Sequence, residues 1–198
     1  PRYTHCISSA ASDVYKRQGY NLLNRIWNNT YGVYIKASSS NHFNNNIISN
    51  NTYGIYLYSS LNIEINSNKI DNNTMGVYIN KSSTDNIITG NTFILNSPTQ
   101  YGAYIEGALC KNNRIYSNNF VNITAINRSL GYDDGSGNNW YNVDSNDKEG
   151  NYWGNYKQRY PTATELPVDD PWYYSENYEI DGNAGSEDIR PLINKVST

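Results

Sequence analysis

The chain repeats itself, and the repeat limits the fold more than any other feature. Four segments read as one phrase: Tyr31-Gly32-Val33-Tyr34-Ile35, Tyr53-Gly54-Ile55-Tyr56-Leu57, Met75-Gly76-Val77-Tyr78-Ile79 and Tyr101-Gly102-Ala103-Tyr104-Ile105. Their glycines lie 22, 22 and 26 residues apart, the last interval holding an insertion at Ser97-Pro98-Thr99-Gln100. A second phrase, Asn-x-(Ile/Phe), recurs at Asn24/Ile26, Asn46/Ile48, Asn68/Ile70, Asn91/Phe93 and Asn118/Phe120. Phe43, Ile65, Ile88 and Ile115 stand three residues before the last four of those asparagines. Self-similarity at a fixed period of this length marks a solenoid, in which each repeat buries its apolar face only against its neighbours.

The solenoid is read as β. Each repeat alternates apolar and polar residues at period two and contains no stretch of helical spacing. A coil of about 22 residues holds three short strands, each pairing with its counterpart about 4.8 Å further along. Val33/Ile35, Ile55/Leu57, Val77/Ile79 and Ala103/Ile105 then stack inward as ladders, each buried side chain contributing roughly 1.5–3 kcal/mol. The 34 asparagines suit the corners for two reasons: Asn tolerates the left-handed backbone, and stacked amides hydrogen-bond along an axis. Asn28, Asn50, Asn72 and Asn122 are expected to form one such column.

The domain division follows. Residues 1–18 share none of this periodicity; they resemble translated adapter sequence and are read as a non-native leader. With the true N-terminus taken as lost, a missing export signal says nothing about export. Residues 19–130 are the coils, and residues 131–198 a last coil and an acidic, aromatic cap that closes the open strand edges. Charge changes sign at this border: residues 1–128 carry 10 Lys/Arg against 5 Asp/Glu, and residues 129–198 carry 5 against 13. With a net charge of −3 and 14% aromatics, the chain does not read as disordered. No stretch reaches the roughly 20 apolar residues of a membrane span. Cys6 and Cys110 give no disulfide framework.

These phrases resemble the right-handed parallel β-helix repeats of the NosD-like family, the carbohydrate-binding and sugar-hydrolysis fold. The resemblance covers about residues 20–155. Gly150-Asn151-Tyr152-Trp153-Gly154-Asn155-Tyr156, preceded by Gly137-Asn138-Asn139-Trp140, is similar to the family's closing G-N-Y-W-x-x-Y phrase. Asp181-Gly182-Asn183-Ala184-Gly185-Ser186-Glu187-Asp188 before Pro191-Leu192 is a degenerate form of its acidic tail. The resemblance implies an all-β, pectate-lyase-like solenoid of about five coils with an irregular C-terminal cap. It also brings copper into view, but copper favours thiolate, thioether and imidazole. Outside the leader the chain has only Cys110, Met75 and His42, far apart in sequence, and copper handling is not expected.

Three sets of candidate residues remain. Tyr34, Tyr56, Tyr78 and Tyr104 are the outward residues of the repeated phrase, a stripe whose strand spacing compares with the advance of one sugar ring. Tyrosine offers a flat apolar face and a hydroxyl to a polysaccharide; the same stripe equally serves as rings stacked on one another or lying beneath the cap. His42, Glu64 and Arg114 share a second outward column with Ile87 and are weak catalytic candidates, His42 and Glu64 being placed to move a proton. Asp144, Asn146, Asp147 and Glu149, or Asp181, Asn183 and Asp188, supply hard oxygens for calcium, with a merely solvated acidic cap as the alternative.

Glycoside hydrolysis needs two facing carboxylates, and on the coils Glu64, Asp71, Asp85 and Glu106 share no column. The Gly-His-Gly and paired-Asp signatures of polygalacturonases and the Asp-Pro-His-Asp motif of alginate epimerases are absent. The expectation is therefore an extracellular or cell-surface module, without catalysis, that binds a polysaccharide or surface glycan, not nucleic acid, or serves as a rigid structural surface module. The alternative is a polysaccharide lyase or glycoside hydrolase of the β-helix class. Asn-x-Ser/Thr triplets at Asn28, Asn50, Asn72, Asn80, Asn122 and Asn127 follow from composition.

Overall fold

Every coil lays down the same three strands, because the apolar alternation restarts at the same three places in each repeat. The computed structural model describes residues 24–122, 127–144, 149–166 and 173–196; residues 1–18, read above as a non-native leader, lie outside them. In chain order the strands are β1 (Arg25–Trp27), β2 (Tyr31–Lys36), β3 (His42–Asn44), β4 (Ile47–Ser49), β5 (Tyr53–Tyr58), β6 (Glu64–Asn66), β7 (Lys69–Asp71), β8 (Met75–Asn80), β9 (Ile87–Thr89), β10 (Thr92–Leu95), β11 (Tyr101–Ile105), β12 (Arg114–Tyr116), β13 (Asn119–Asn122), β14 (Gly131–Asp133) and β15 (Tyr152–Trp153). They assemble into three parallel sheets, ordered β1-β4-β7-β10-β13-β15, β2-β5-β8-β11-β14 and β3-β6-β9-β12. The chain is a parallel β-solenoid with four complete turns.

Like residues lie over like. The register pairs Val33 with Ile55, Val77 and Ala103 in turn, and Ile26 with Ile48, Ile70, Phe93, Phe120 and Trp153. Phe43, Ile65, Ile88 and Ile115 form the third inner column. Nearly all of these are buried in one continuous core. Gly32, Gly54 and Gly76 mark where two successive residues both turn inward. A Cβ there would lie 2.5, 2.4 and 2.3 Å from the carbonyl oxygen of the next coil's glycine, so only a residue without one lets the coils approach to strand spacing.

The asparagines divide the two corner tasks between neighbours. Asn28, Asn50 and Asn72 adopt φ of 60°, 55° and 53° and face outward. The residues that follow them, Asn29, Asn51 and Asn73, point inward: Asn51 N and Nδ2 donate to Asn73 Oδ1 at 2.9 and 3.0 Å, and Asn29 N to Asn51 Oδ1 at 3.0 Å. The left-handed corner and the amide ladder were expected of the same residues; they are adjacent ones, which explains the recurring Asn-Asn doublets. Asn122, expected in the corner column, ends strand β13 instead.

A longer ladder runs the length of the molecule. Asn24, Asn46, Asn68, Asn91, Asn118 and Asn151 each donate their side-chain amide to the Oδ1 of the next, at 2.9–3.0 Å up to Asn151. It ends on Asp188, whose Oδ2 accepts from Asn151 N at 2.7 Å and Trp153 Nε1 at 2.8 Å. A third ladder, Asn86 to Asn113 to Asn138, ends on Asp133, which also accepts from Trp140 Nε1 at 3.1 Å. A column of amides all donating in one direction needs an acceptor oxygen at its last position, and the two Asp side chains supply it. The rings of Trp153 and Tyr178 then stack 4.0 Å apart and close the core, with the short helix α1 (Tyr156–Arg159) and the hairpin of β16 (Tyr178–Glu179) and β17 (Glu187–Asp188) around them.

Candidate functional site

Two outward surfaces carry the candidate residues. The first is a ridge on the β2-β5-β8-β11-β14 sheet. Tyr34, Tyr56, Tyr78 and Tyr104 stand in register, and Tyr132 continues the column. In three coils the glycine corner puts a second ring beside the first: Tyr31 lies 5.2 Å from Tyr34, Tyr53 5.3 Å from Tyr56 and Tyr101 5.3 Å from Tyr104. Tyr31, Tyr53, Tyr101 and Tyr132 were missed as ridge members although the same phrase announces the first three. The rings lean on one another: Tyr31 and Tyr53 stack at 11°, Tyr104 and Tyr132 at 7° and 4.2 Å. Ring faces are thus largely occupied by neighbouring rings, leaving edges and hydroxyls outward, and Tyr78 is only 8% exposed. Among the described residues, the ring contacts of Tyr34, Tyr56, Tyr78 and Tyr104 are all with tyrosines of this same sheet, Tyr58 at the end of β5 included.

Burial raises the pKa of Tyr34, Tyr56 and Tyr104. Burial raises that of Tyr78 too, helped by its hydrogen bond to Glu106, while for Tyr132 the bond to Asp134 is the main cause. These five hydroxyls therefore keep their protons at neutral pH. Glu106 and Asp134 follow the ridge at the same place in successive coils, so the coils do hold two acidic residues in one column once the last coil is counted. Tyr78 donates to Glu106, and Tyr132 to Asp134 at 2.7 Å.

The second surface is a groove of about 510 Å³ on the outer face of β3-β6-β9-β12. His42, Glu64, Ile87 and Arg114 line it as one column. His42 Nδ1 meets Glu64 Oε2 at 2.7 Å, and Arg114 pairs with Asp144, which reaches in from the far wall. Asp85 enters from the corner beside them and accepts from Asn112 Nδ2 at 3.3 Å.

Among the described residues, the calcium candidates take separate places. Asp144 belongs to the groove. Asn183 donates to Asp134 Oδ1 at the end of the ridge, and Asp181 Oδ1 accepts from Ser129 N at 3.4 Å. Asp188 is wholly buried at the core end. Asn142 N donates to the Glu149 carbonyl, while Asn146 and Asp147 lie outside the described residues. Among the described residues no group of three or more His, Cys, Asp and Glu is arranged to hold a metal ion.

A family model described as periplasmic copper-binding protein (NosD) matches residues 15–158, well over half of the chain. The chain belongs to the NosD family. No curated protein matches it, and no solved structure does. As a NosD-type domain it is a β-solenoid module of a family described as periplasmic, and among the described residues no helix is long and apolar enough to cross a membrane. The family's copper was tested against the donors present. His42 is held by Glu64 in the groove, Met75 takes the ridge position of Tyr31 and Tyr53, and Cys110 is buried with its Sγ 3.3 Å from the Glu106 carbonyl. Among the described residues, one soft donor of each kind in three separate places does not fit a copper site.

Proposed function

We propose that this NosD-family solenoid is a non-catalytic module of the cell envelope or cell surface that binds a linear polysaccharide along its tyrosine ridge. The observation that carries this reading is the column of five phenols, Tyr34 to Tyr132, repeating once per coil. A polymer with one hydroxyl-rich ring per repeat meets a protonated hydroxyl at each step, and repeated weak contacts on one rigid scaffold accumulate into affinity. Because the ring faces are engaged with each other, contact is expected through hydroxyls and ring edges more than through sugar stacking. Affinity measured against a polysaccharide panel tests this. Changing Tyr34 and Tyr56 together to alanine should weaken binding at least about tenfold, at roughly one lost hydrogen bond per phenol. Retention of full affinity by that double variant would remove the ridge as the site.

A second reading, a carbohydrate-active enzyme, is favoured by the groove, where the His42–Glu64 contact of 2.7 Å stands beside Arg114. Release of reducing or unsaturated sugars from the same panel, abolished by Glu64→Gln, would establish it. A panel that is bound but never cleaved would leave the module non-catalytic.

A further inference from the structure

The groove has a corner residue that the fold does not ask for. At this corner the coils place Ser40, Asn62, Asp85, Asn112 and Gly137, with φ of 57°, 52°, 57°, 55° and 65°. The shared requirement is a residue that tolerates the left-handed backbone, which Asn and Gly meet best. The first four make the same backbone contact to the next coil: Ser40 N to Leu61 O, Asn62 N to Thr84 O, Asp85 N to Lys111 O, Asn112 N to Ser136 O. Only at position 85 does this column carry a charge, and the side chain faces the groove.

The other acidic side chains in the groove are each held by a neighbour. Glu64 has His42, and Asp144 has Arg114. Asp85 is in no ion pair among the described residues; it accepts a neutral amide bond from Asn112. Around it the groove offers the amides of Asn62, Asn112 and Asn139 and an apolar side made by Ile87 and Val143. Amides with one apolar patch suit the hydroxyls and the hydrophobic face of a sugar ring, and the residual charge is negative.

We propose that this groove is a saccharide subsite, separate from the ridge, that selects a sugar carrying an ammonium group, with Asp85 as the residue that selects it. The inference rests on the glycan-binding reading for its ligand class, but not on the ridge. A charge-assisted hydrogen bond from the ammonium to Asp85 supplies the discrimination. An N-acetyl group removes the charge, and a uronate brings its own negative charge against Asp85.

The test is calorimetric titration of the full chain with a short oligomer of glucosamine, its N-acetylated counterpart, an oligouronate, and a polyamine as a sugar-free cation. The glucosamine oligomer should bind about tenfold more tightly than the N-acetylated one, with the uronate weakest. Asp85→Asn restores the residue found at positions 62 and 112, so the variant is expected to fold and should erase that preference, bringing the two oligomers to equal affinity. The preference should also survive in the Tyr34/Tyr56 double variant. Equal binding of the two oligomers, a preference that persists in Asp85→Asn, or polyamine binding as tight as the sugar would each overturn the proposal. If a polysaccharide binds the ridge without any Asp85-dependent preference, the subsite fails and the ridge reading stands. If the preference appears but no polysaccharide needs the ridge, the reverse holds.

Discussion

Asn72 and Asn73 are identical in type and adjacent in sequence, and their replacement by alanine should have very different consequences. Asn73 is 4% exposed. Its Oδ1 is the acceptor for Asn51 N and Nδ2, and its Nδ2 donates to Ile48 O at 3.0 Å and Asp71 O at 3.2 Å. Alanine leaves the Asn51 backbone N–H without its acceptor and takes a donor from the Ile48 carbonyl. Each buried polar group so stranded costs about 1–3 kcal/mol, for a total of roughly 2–5 kcal/mol. Asn72 donates to Asn50 Oδ1 at 2.7 Å on the surface and holds φ of 53°. Its alanine variant loses exposed bonds and incurs the left-handed penalty, together about 1–2 kcal/mol, and Asn72→Gly removes that penalty. Urea unfolding followed by circular dichroism should therefore place Asn73→Ala well below Asn72→Ala, and Asn72→Gly near the parent. Equal losses for the two alanine variants would refute the division of corner and ladder between neighbours.

Gly54→Ala should destabilise by about 1–3 kcal/mol or prevent folding, because its Cβ would lie 2.4 Å from Gly76 O; a thermal midpoint equal to the parent's would show that the coils can part without loss. Burial holds the Asp188 carboxyl up to about 7 against 3.8 for the free group, although Trp153, Asn151 and Arg190 all donate N–H bonds to it. The folded chain thus keeps a proton that the unfolded chain releases. Its stabilising effect is complete below about 3.8 and is lost as pH rises through about 7, a change of up to about 4 kcal/mol. Subtracting the Asp188→Asn stability curve from the parent's isolates the effect, and a flat difference would mean that the N–H donors outweigh burial.

How much was legible follows from what repeats. The inward columns could be read because Val33, Ile55 and Val77 recur at one period, and the period itself dictates which residues meet. The ridge was half legible: Tyr34 and its counterparts came from strand alternation, but Tyr31 and Tyr53 sit where the glycine corner breaks alternation, so period two assigns them to the wrong face. The groove column of His42, Glu64 and Arg114 was visible, whereas Asp85 and Asp144 were not tied to it. Asp85 enters from a corner, and Asp144 from a segment outside the repeat.

The sequence by itself determined the coil length, the parallel stacking and the inner ladders, since local alternation and a fixed period admit one way of burying those aliphatics. Only the tertiary structure decided where the amide ladders stop. Asp188 lies 37 residues beyond Asn151, and Asp133 lies five residues before Asn138, so no period connects either carboxylate to the column it ends. Each is placed there by the fold of the cap, and its role exists only because the preceding amide has no further coil to donate to.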